Sequence, residues 1–264
     1  MNGAGNDFVV IDNRSMRIVQ RSHLARHLCD RHRGIGADGL LLLERSKKAA
    51  YRMMYYNADG SYGGMCGNGG RCIASFAATQ GIAPRNHFFE ALDYVYRAQI
   101  RLGGGQVRLW MKPPRHMRIG NSLEHEDDIL SVHTIDTGSP HAVVFVQKGR
   151  LKGLDIENVG RWLRRHAAFQ PTGVNANFVE KTGPRSIKMR TYERGVEAET
   201  QACGTGSVAC SVLGSVVAGL RSPVSVATRS GDILKVSFVR SDDGFQEVVL
   251  EGPATVSFKG QVDV

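Results

Sequence analysis

Two short segments, MCGNGGRC at Met65–Cys72 and ACGTGSVAC at Ala202–Cys210, share one construction: a cysteine, then Gly-x-Gly, then an apolar run of small residues. A run rich in Ala, Ser, Gly and Cys makes a helix that other elements can approach closely on several sides. Two of them, one in each half of 264 residues, call for two similar units, each built around its own small-residue helix. A chain of this length supports two cores of roughly 130 residues apiece. The echo extends upstream. GAGNDFVV near the start is matched by TGVNANFVE (Thr172–Glu180), and Asn57 precedes Cys66 much as Glu193 precedes Cys203.

Apolar patterning fills in the rest. FVVID (Phe8–Asp12), GLLLLE (Gly39–Glu44), YRMMYYN (Tyr51–Asn57), YVYRAQI (Tyr94–Ile100) and QVRLWM (Gln106–Met111) read as strands. RSHLARHLCDRH (Arg21–His32) reads as an amphipathic helix opened by Ser22, and Asn68–Gly81 as a helix stopped by Gly81. Over Met111–Asp128 the apolar pattern lapses and two prolines break any regular element, so the boundary falls there. That gives a first domain over residues 1–113, which the last strand (254–264) can rejoin, and a second over 114–253. The second half repeats the plan with strands at His141–Val146, Asn175–Glu180 and Ser186–Glu193. Helices are predicted over Ile156–His166 and Gly204–Leu220, and further strands finish the chain.

Composition narrows the function classes. Net charge is +9, from 34 basic and 25 acidic residues, but the basic segments KPPRHMR and RWLRRH sit in no nucleic-acid-binding module. Nucleic acid is therefore not the expected partner. Five scattered cysteines do not make a disulfide framework, and none of the spacings suits a metal. No apolar run is long enough to span a membrane and no signal segment precedes MNGAGNDF, so a cytoplasmic protein with reduced thiols is expected. Oligomeric state is left open by the sequence, which is compatible with a homodimer.

The repeated turn has its own chemistry. A helix N-terminus offers unpaired N–H groups and partial positive charge, and glycines let a small anion approach them. A cysteine placed there gains thiolate character. Two such turns facing one small carboxylate put a sulfur on each face of its α-carbon. One removes the α-proton and the other returns a proton to the opposite face, which inverts the centre. Backbone donors at the carboxylate hold the charge that develops. Cys66 and Cys203 are the two candidates; Cys29, Cys72 and Cys210 read as core.

These segments, together with RHRGIGADGLLLLE, NADGSYGG, GSPHAV and YERGVEAETQACGTG in the same order, closely resemble the diaminopimelate epimerase family over nearly the whole chain. The resemblance implies an α/β (α+β) fold of two similar domains, each a mixed sheet wrapped around a central helix, with the site in the cleft between. It implies cofactor-independent and metal-free conversion of LL- to meso-diaminopimelate, a small amino-acid substrate of lysine and cell-wall precursor synthesis. Carried over residue by residue, Cys66 and Cys203 become the acid/base pair, with His141 and Glu193 tuning the sulfurs. Asn68 and the amides of Gly67, Gly204 and Thr205 would hold the reacting carboxylate. Asn6, Asn57, Asn175 and Arg194 would fix the remote end, where a guanidinium suits a second carboxylate. Ser139 stands where the family has asparagine, in contact with that remote end. The loop from Glu193 to Cys203 is one residue longer than the common pattern, and the first strand is expected to be short. Proline, hydroxyproline and histidine racemases of the same fold are the nearest rivals. Proline racemases carry Cys-Gly-His-Gly where this chain has Cys66-Gly67-Asn68-Gly69. A phenazine-precursor isomerase of this fold lacks the cysteine pair, and a basic binding module is the non-enzyme alternative.

Overall fold

The computed structural model describes residues 1–101, 103, 105–126 and 128–262. It divides into two units, Met1–Trp110 together with the C-terminal stretch from Glu251, and Met111–Leu250.

The first unit runs β1 (Asn2–Gly3), β2 (Asn6–Asp12), α1 (Arg21–Cys29), β3 (Gly39–Glu44), β4 (Arg52–Asn57), α2 (Gly67–Thr79), β5 (Asn86–Ala91), β6 (Tyr94–Ile100) and β7 (Gln106–Trp110). Its strands pair in chain order from β1 to β7. The β2–β3 and β4–β5 contacts are parallel and the others antiparallel. The four leucines of β3 show why a continuous apolar run belongs here. Leu40 and Leu42 join the cluster under α1, while Leu41 lies against Gly69 of α2. With helices on both faces the strand has no solvated side. Each buried leucine contributes about 2 kcal/mol.

The second unit runs β8 (Arg115–His125), β9 (Asp128–Asp136), β10 (Pro140–Val146), α3 (Ile156–Arg165), β11 (Asn175–Gly183), β12 (Ser186–Glu193), β13 (Ala198–Thr200), α4 (Gly204–Val217), β14 (Val224–Ala227), β15 (Ile233–Ser241) and β16 (Gly244–Pro253), whose last residues enter the C-terminal stretch of the first unit. The strand order is β8-β9-β10-β11-β12-β14-β15-β16, with β13 hung on β12. Here β10–β11 and β12–β14 are the parallel contacts. The succession β2-α1-β3-β4-α2-β5-β6 thus recurs as β10-α3-β11-β12-α4-β14-β15, with the same pairing sense at each step. In each unit the small-residue helix is the central one: α2 packs on β1, β2, β3, β4, β6 and β7, and α4 on β9, β10, β11, β12, β14 and β15. On the other face of the second sheet, Gly160 lets α3 approach so closely that an added Cβ would sit 2.5 Å from Cβ of Tyr192.

Two expectations are corrected, and one strand lies where none was predicted. The first helix is capped by Gln20, without a side-chain bond, and not by Ser22, which lies inside it; it stops at Cys29 because Asp30 turns extended and its carboxylate accepts from the His32 and Arg33 amides. The stretch around Met111–Asp128 is not irregular: β8 and β9 pair antiparallel along it, with register shifts near Arg118. Most of β8 is exposed, so hydrophobic periodicity carries no trace of it. β5 also went unread, because its buried positions include His87 and Glu90, two polar residues.

Candidate active site

Each unit brings its Cys-Gly-x-Gly turn to the head of its central helix. Cys66 is the N-cap of α2 and Cys203 the N-cap of α4, both in extended backbone, and each Sγ accepts from the amide three residues on: Gly69 N at 3.4 Å and Gly206 N at 3.4 Å. The carbonyls of Cys66 and Cys203 accept the first helical bonds, from Gly70 at 2.7 Å and Ser207 at 2.9 Å. Gly67 and Asn68, and Gly204 and Thr205, are therefore the first residues of their helices. Each turn offers N–H donors and the positive end of a helix beside a sulfur.

In the first unit, Asp38 sets the surroundings of Cys66. Its Oδ2 accepts from Nδ2 of Asn6 at 2.7 Å, which fixes that amide so that Oδ1 of Asn6 faces Sγ of Cys66 at 3.8 Å and Nδ2 of Asn68 at 3.3 Å. Oδ1 of Asn68 accepts in turn from Arg71 at 2.9 Å, and Arg71 also donates to the carbonyl of Gly67 at 3.2 Å. Partial desolvation by neighbouring groups raises the Asp38 carboxyl above its ordinary value although its side chain is 43% exposed; the Asn6 amide opposes this and the charge of Asp7 adds to it. Asn57 lies outside that group, in a turn where it accepts from Tyr55 and donates to Ser61.

In the second unit, Cys203 shares a 3.5 Å contact with the Thr205 hydroxyl, and the Thr205 carbonyl accepts from Thr137 at 3.0 Å. Asn175 ties three segments together: Nδ2 donates to Ser139 Oγ at 2.7 Å and to the Pro140 carbonyl, and Oδ1 accepts from the Arg194 amide at 2.9 Å. Arg194 reaches the Thr172 carbonyl, and Glu193 accepts from Thr200 at 2.9 Å. The hairpin carrying them is pinned by Glu197, whose carboxylate takes Arg164 of α3 and whose carbonyl takes the Tyr192 hydroxyl. His141 is fully buried; Nδ1 lies 3.1 Å from Nδ2 of Asn177, and Nε2 has no hydrogen-bond partner among the described residues. Arg71, Asp38, Thr137 and Asn177 escaped the sequence reading. Of these, Asn177 left a signal, since it shares a strand face with Asn175 in NANFVE.

The other sulfurs are of a different kind. Burial pushes the Cys29 and Cys72 thiols up to about 12 and Cys210 higher still. Cys66 is half-buried. A thiol-alkylating reagent should accordingly modify Cys66 first in the native protein and reach Cys29, Cys72 and Cys210 only after denaturation. Peptide mass spectrometry reads this, and early modification of Cys72 would contradict it.

A pH dependence follows from His141. Burial, then the positive charge of Arg194, push its imidazole down to about 3 from the ordinary 6.5. Between those values the unfolded chain binds a proton that the native protein refuses, so stability is full above about pH 6.5 and is lost as pH falls, by up to about 1.4 kcal/mol per pH unit. His87 and His133 are also lowered by burial. Urea unfolding should therefore show a lower midpoint at pH 5 than at pH 7, and His141→Gln should flatten that difference.

Known proteins can now be set beside this geometry. The family model described as diaminopimelate epimerase matches residues 1–115 and 133–256. A diaminopimelate epimerase of Chlorobaculum tepidum is 44% identical over 268 residues, covering 99% of each chain. The chain belongs to the diaminopimelate epimerase family. The epimerase of Hydrogenobaculum sp. is 39% identical over 98% of this chain and 96% of its own, and that of Aquifex aeolicus 38% over 99% and 96%. Among solved structures, a PhzF-family phenazine biosynthesis protein of Bacillus anthracis superposes with a TM-score of 0.73 at 14% identity, over 96% of this chain and 92% of that one. A probable proline racemase of Agrobacterium radiobacter gives 0.70 at 17%, over 92% and 81%. These structures share the fold, and membership of the diaminopimelate epimerase family comes from the sequence. No described helix is long and apolar enough to cross a membrane.

Proposed function

We propose that the chain interconverts LL- and meso-diaminopimelate by two-base exchange of one α-proton, with Cys66 and Cys203 working from opposite faces of the reacting carbon. The observation that carries this reading is that both sulfurs are N-caps of central, small-residue helices in a member of the diaminopimelate epimerase family. The reacting carboxylate lies against the amides of Gly67, Gly204 and Thr205. The thiolate of one cysteine takes the α-hydrogen as a proton, and the C–H electron pair moves into the carboxylate. Positioned amides stabilise that charge by about 3 kcal/mol apiece. The thiol of the other cysteine then protonates the opposite face. The products are an inverted carbon and a cysteine pair with its protonation states exchanged.

Asn175, Ser139 and Arg194, linked by hydrogen bonds, form one group that takes the remote amino-acid end of the substrate together with Asn57. Asn6 and Asn68 line the Cys66 side, and Glu193 supports the Cys203 side. No cofactor takes part in these steps.

Incubation of freshly reduced protein with LL- or meso-diaminopimelate in deuterated water, without added cofactor, is expected to give α-deuterium and a mixture of stereoisomers. Proline, hydroxyproline, histidine and glutamate should not exchange. Exchange into proline but not diaminopimelate would move the assignment to the racemases, and no exchange at all would end it.

A further inference from the structure

In the first unit the amide side chains of Asn6 and Asn68 touch each other, and a charged residue stands at either end of the pair: Asp38 beside Asn6, Arg71 beside Asn68. The second unit can be laid over the first by two landmarks. Gly39 opens β3 as Asn175 opens β11, each against its parallel neighbour, and Gly67 opens α2 as Gly204 opens α4. By these landmarks Val174 stands in the place of Asp38 and Val208 in the place of Arg71, and both valines are buried. The same succession of strands and helices thus forms with apolar side chains there, so the fold itself does not demand the two charges. Arg71 is nonetheless wholly buried, which is costly for a guanidinium. Charges placed against that cost beside one of the two cysteines point to work done at that cysteine.

The charged ends settle which way both amides face. Oδ2 of Asp38 accepts from Nδ2 of Asn6 at 2.7 Å and from the Asp7 amide at 3.2 Å, and its Oδ1 accepts from Arg31 at 3.0 Å. A carboxylate only accepts, so Asn6 turns its nitrogen to Asp38 and its oxygen away. A guanidinium only donates, so Asn68 turns its oxygen to Arg71, at 2.9 Å, and its nitrogen away. The atoms left over are complementary: Nδ2 of Asn68 donates to Oδ1 of Asn6 at 3.3 Å. Reversing either amide would set it against a charged group. The Asn6 oxygen fixed in this way lies 3.8 Å from Sγ of Cys66. There it accepts from a thiol and repels a thiolate, whereas the Gly69 amide, which donates to Sγ at 3.4 Å, favours the thiolate.

We propose that Asp38 is a positioning residue that keeps the amide oxygen of Asn6 on Cys66 and so sets how readily that sulfur gives up its proton. Arg71 holds the second asparagine to the same pattern. With the oxygen in place the thiol is favoured against the pull of the helix end. An amide released from Asp38 turns its nitrogen to the sulfur, and the thiolate gains. The other charged and titratable groups that the first unit brings to this neighbourhood are Asp7 and Arg31, which brace Asp38, together with Cys72 and the Met1 ammonium. All of these stay the same in the variants below. The effect on turnover rests on the epimerase reading, whereas the titration of the thiol does not.

The rate of Cys66 alkylation as a function of pH, followed by peptide mass spectrometry without substrate, reads this titration directly. Asp38→Ala should lower its midpoint by about half to one pH unit, the size of one hydrogen bond's effect, so that Cys66 reacts faster at pH 7. Asp38→Asn removes the charge but keeps an acceptor oxygen, which the Asp7 amide draws to the Asn6 side, so its midpoint should stay near that of the unsubstituted protein. It also guards against a misfolded alanine variant. Equal shifts in the two variants would make Asp38 a bare charge and overturn the proposal, as would an unmoved midpoint in Asp38→Ala. In an Asn6→Ala background Asp38→Ala should move the midpoint no further, because the oxygen it positions is gone; a full second shift there would equally overturn it. In turnover, Asp38→Ala should lower kcat for diaminopimelate several-fold and Asp38→Asn should recover most of the loss. A shifted midpoint with unchanged kcat would overturn the role in turnover. Absence of any epimerisation by the unsubstituted protein would instead defeat the activity reading, while the titration of Cys66 is still read from the alkylation rates.

Discussion

Cys203→Ser and Cys66→Ser should each lower epimerisation of diaminopimelate by about 10³-fold or more, the scale on which positioned acid/base groups act. A serine hydroxyl keeps the N-cap bond to the following amide, so the helix is expected to form, but it neither loses a proton near neutral pH nor returns one readily. The two variants should differ in a revealing way. Each retains one working sulfur, so slow exchange of the α-proton from a single face can outlast inversion, and each should favour a different stereoisomer as exchange substrate. Proton NMR in deuterated water, run alongside chiral chromatography, separates exchange from inversion. The control is Cys72→Ala, whose sulfur is buried on α2 near Gly3: it should lower the melting temperature and leave kcat nearly intact. Unimpaired inversion by either serine variant removes that cysteine from the mechanism.

Gly206→Ala is expected to be the most damaging conservative change near the site. The new methyl would lie 2.5 Å from Oδ1 of Asn177 and 3.2 Å from Sγ of Cys203. The Asn177 oxygen is held by Thr191 and its amide by two carbonyls, so it cannot retreat without breaking a buried network. Relief has to come from movement of the α4 N-terminus, at about 1–3 kcal/mol of overpacking. A displacement near 1 Å at such a place costs on the order of 10²-fold in rate. The matched change Gly69→Ala meets the Leu41 methyls at 3.1 and 3.5 Å and, in ordinary contact, Cβ of Cys66 at 3.5 Å. The methyls are the ends of a side chain with rotamers to spare, so the loss there should be several-fold smaller. Equal losses in the two variants would mean that Asn177 and Leu41 are equally stiff neighbours, against the argument made from Asn177.

The buried elements were legible in the sequence because burial writes a pattern. GLLLLE has no polar residue before its final glutamate, and β3 has helices on both faces; the two Cys-Gly-x-Gly turns announce helix starts, and both helices begin at the glycine after the cysteine. β8 was illegible because an exposed strand satisfies its backbone by pairing and asks nothing of its side chains. The supporting residues of the site were hidden for another reason: their value lies in partners far away in sequence. Arg71 reads as a surface cation inside a small-residue helix, yet it is wholly buried because Gly67, Asn68 and Pro253 offer it oxygens, the last from 182 residues along the chain. Asp38 looks like a turn former in GADG, and only folding brings it to Asn6. Asn177 looks like a companion of Asn175 until the neighbouring strand places His141 beside it.

The end of the chain belongs structurally to its beginning. Thr255 and Asn2 exchange backbone bonds, Ala254 donates to Gly105, and Pro253 supplies a carbonyl to Arg71 under the Cys66 turn. A nascent polypeptide leaving the ribosome therefore has the first unit emerging first and closing last. The second unit has all its residues while the earlier one still waits for its final pieces, and the arginine beneath the Cys66 turn gains its last partner only once Pro253 has been made.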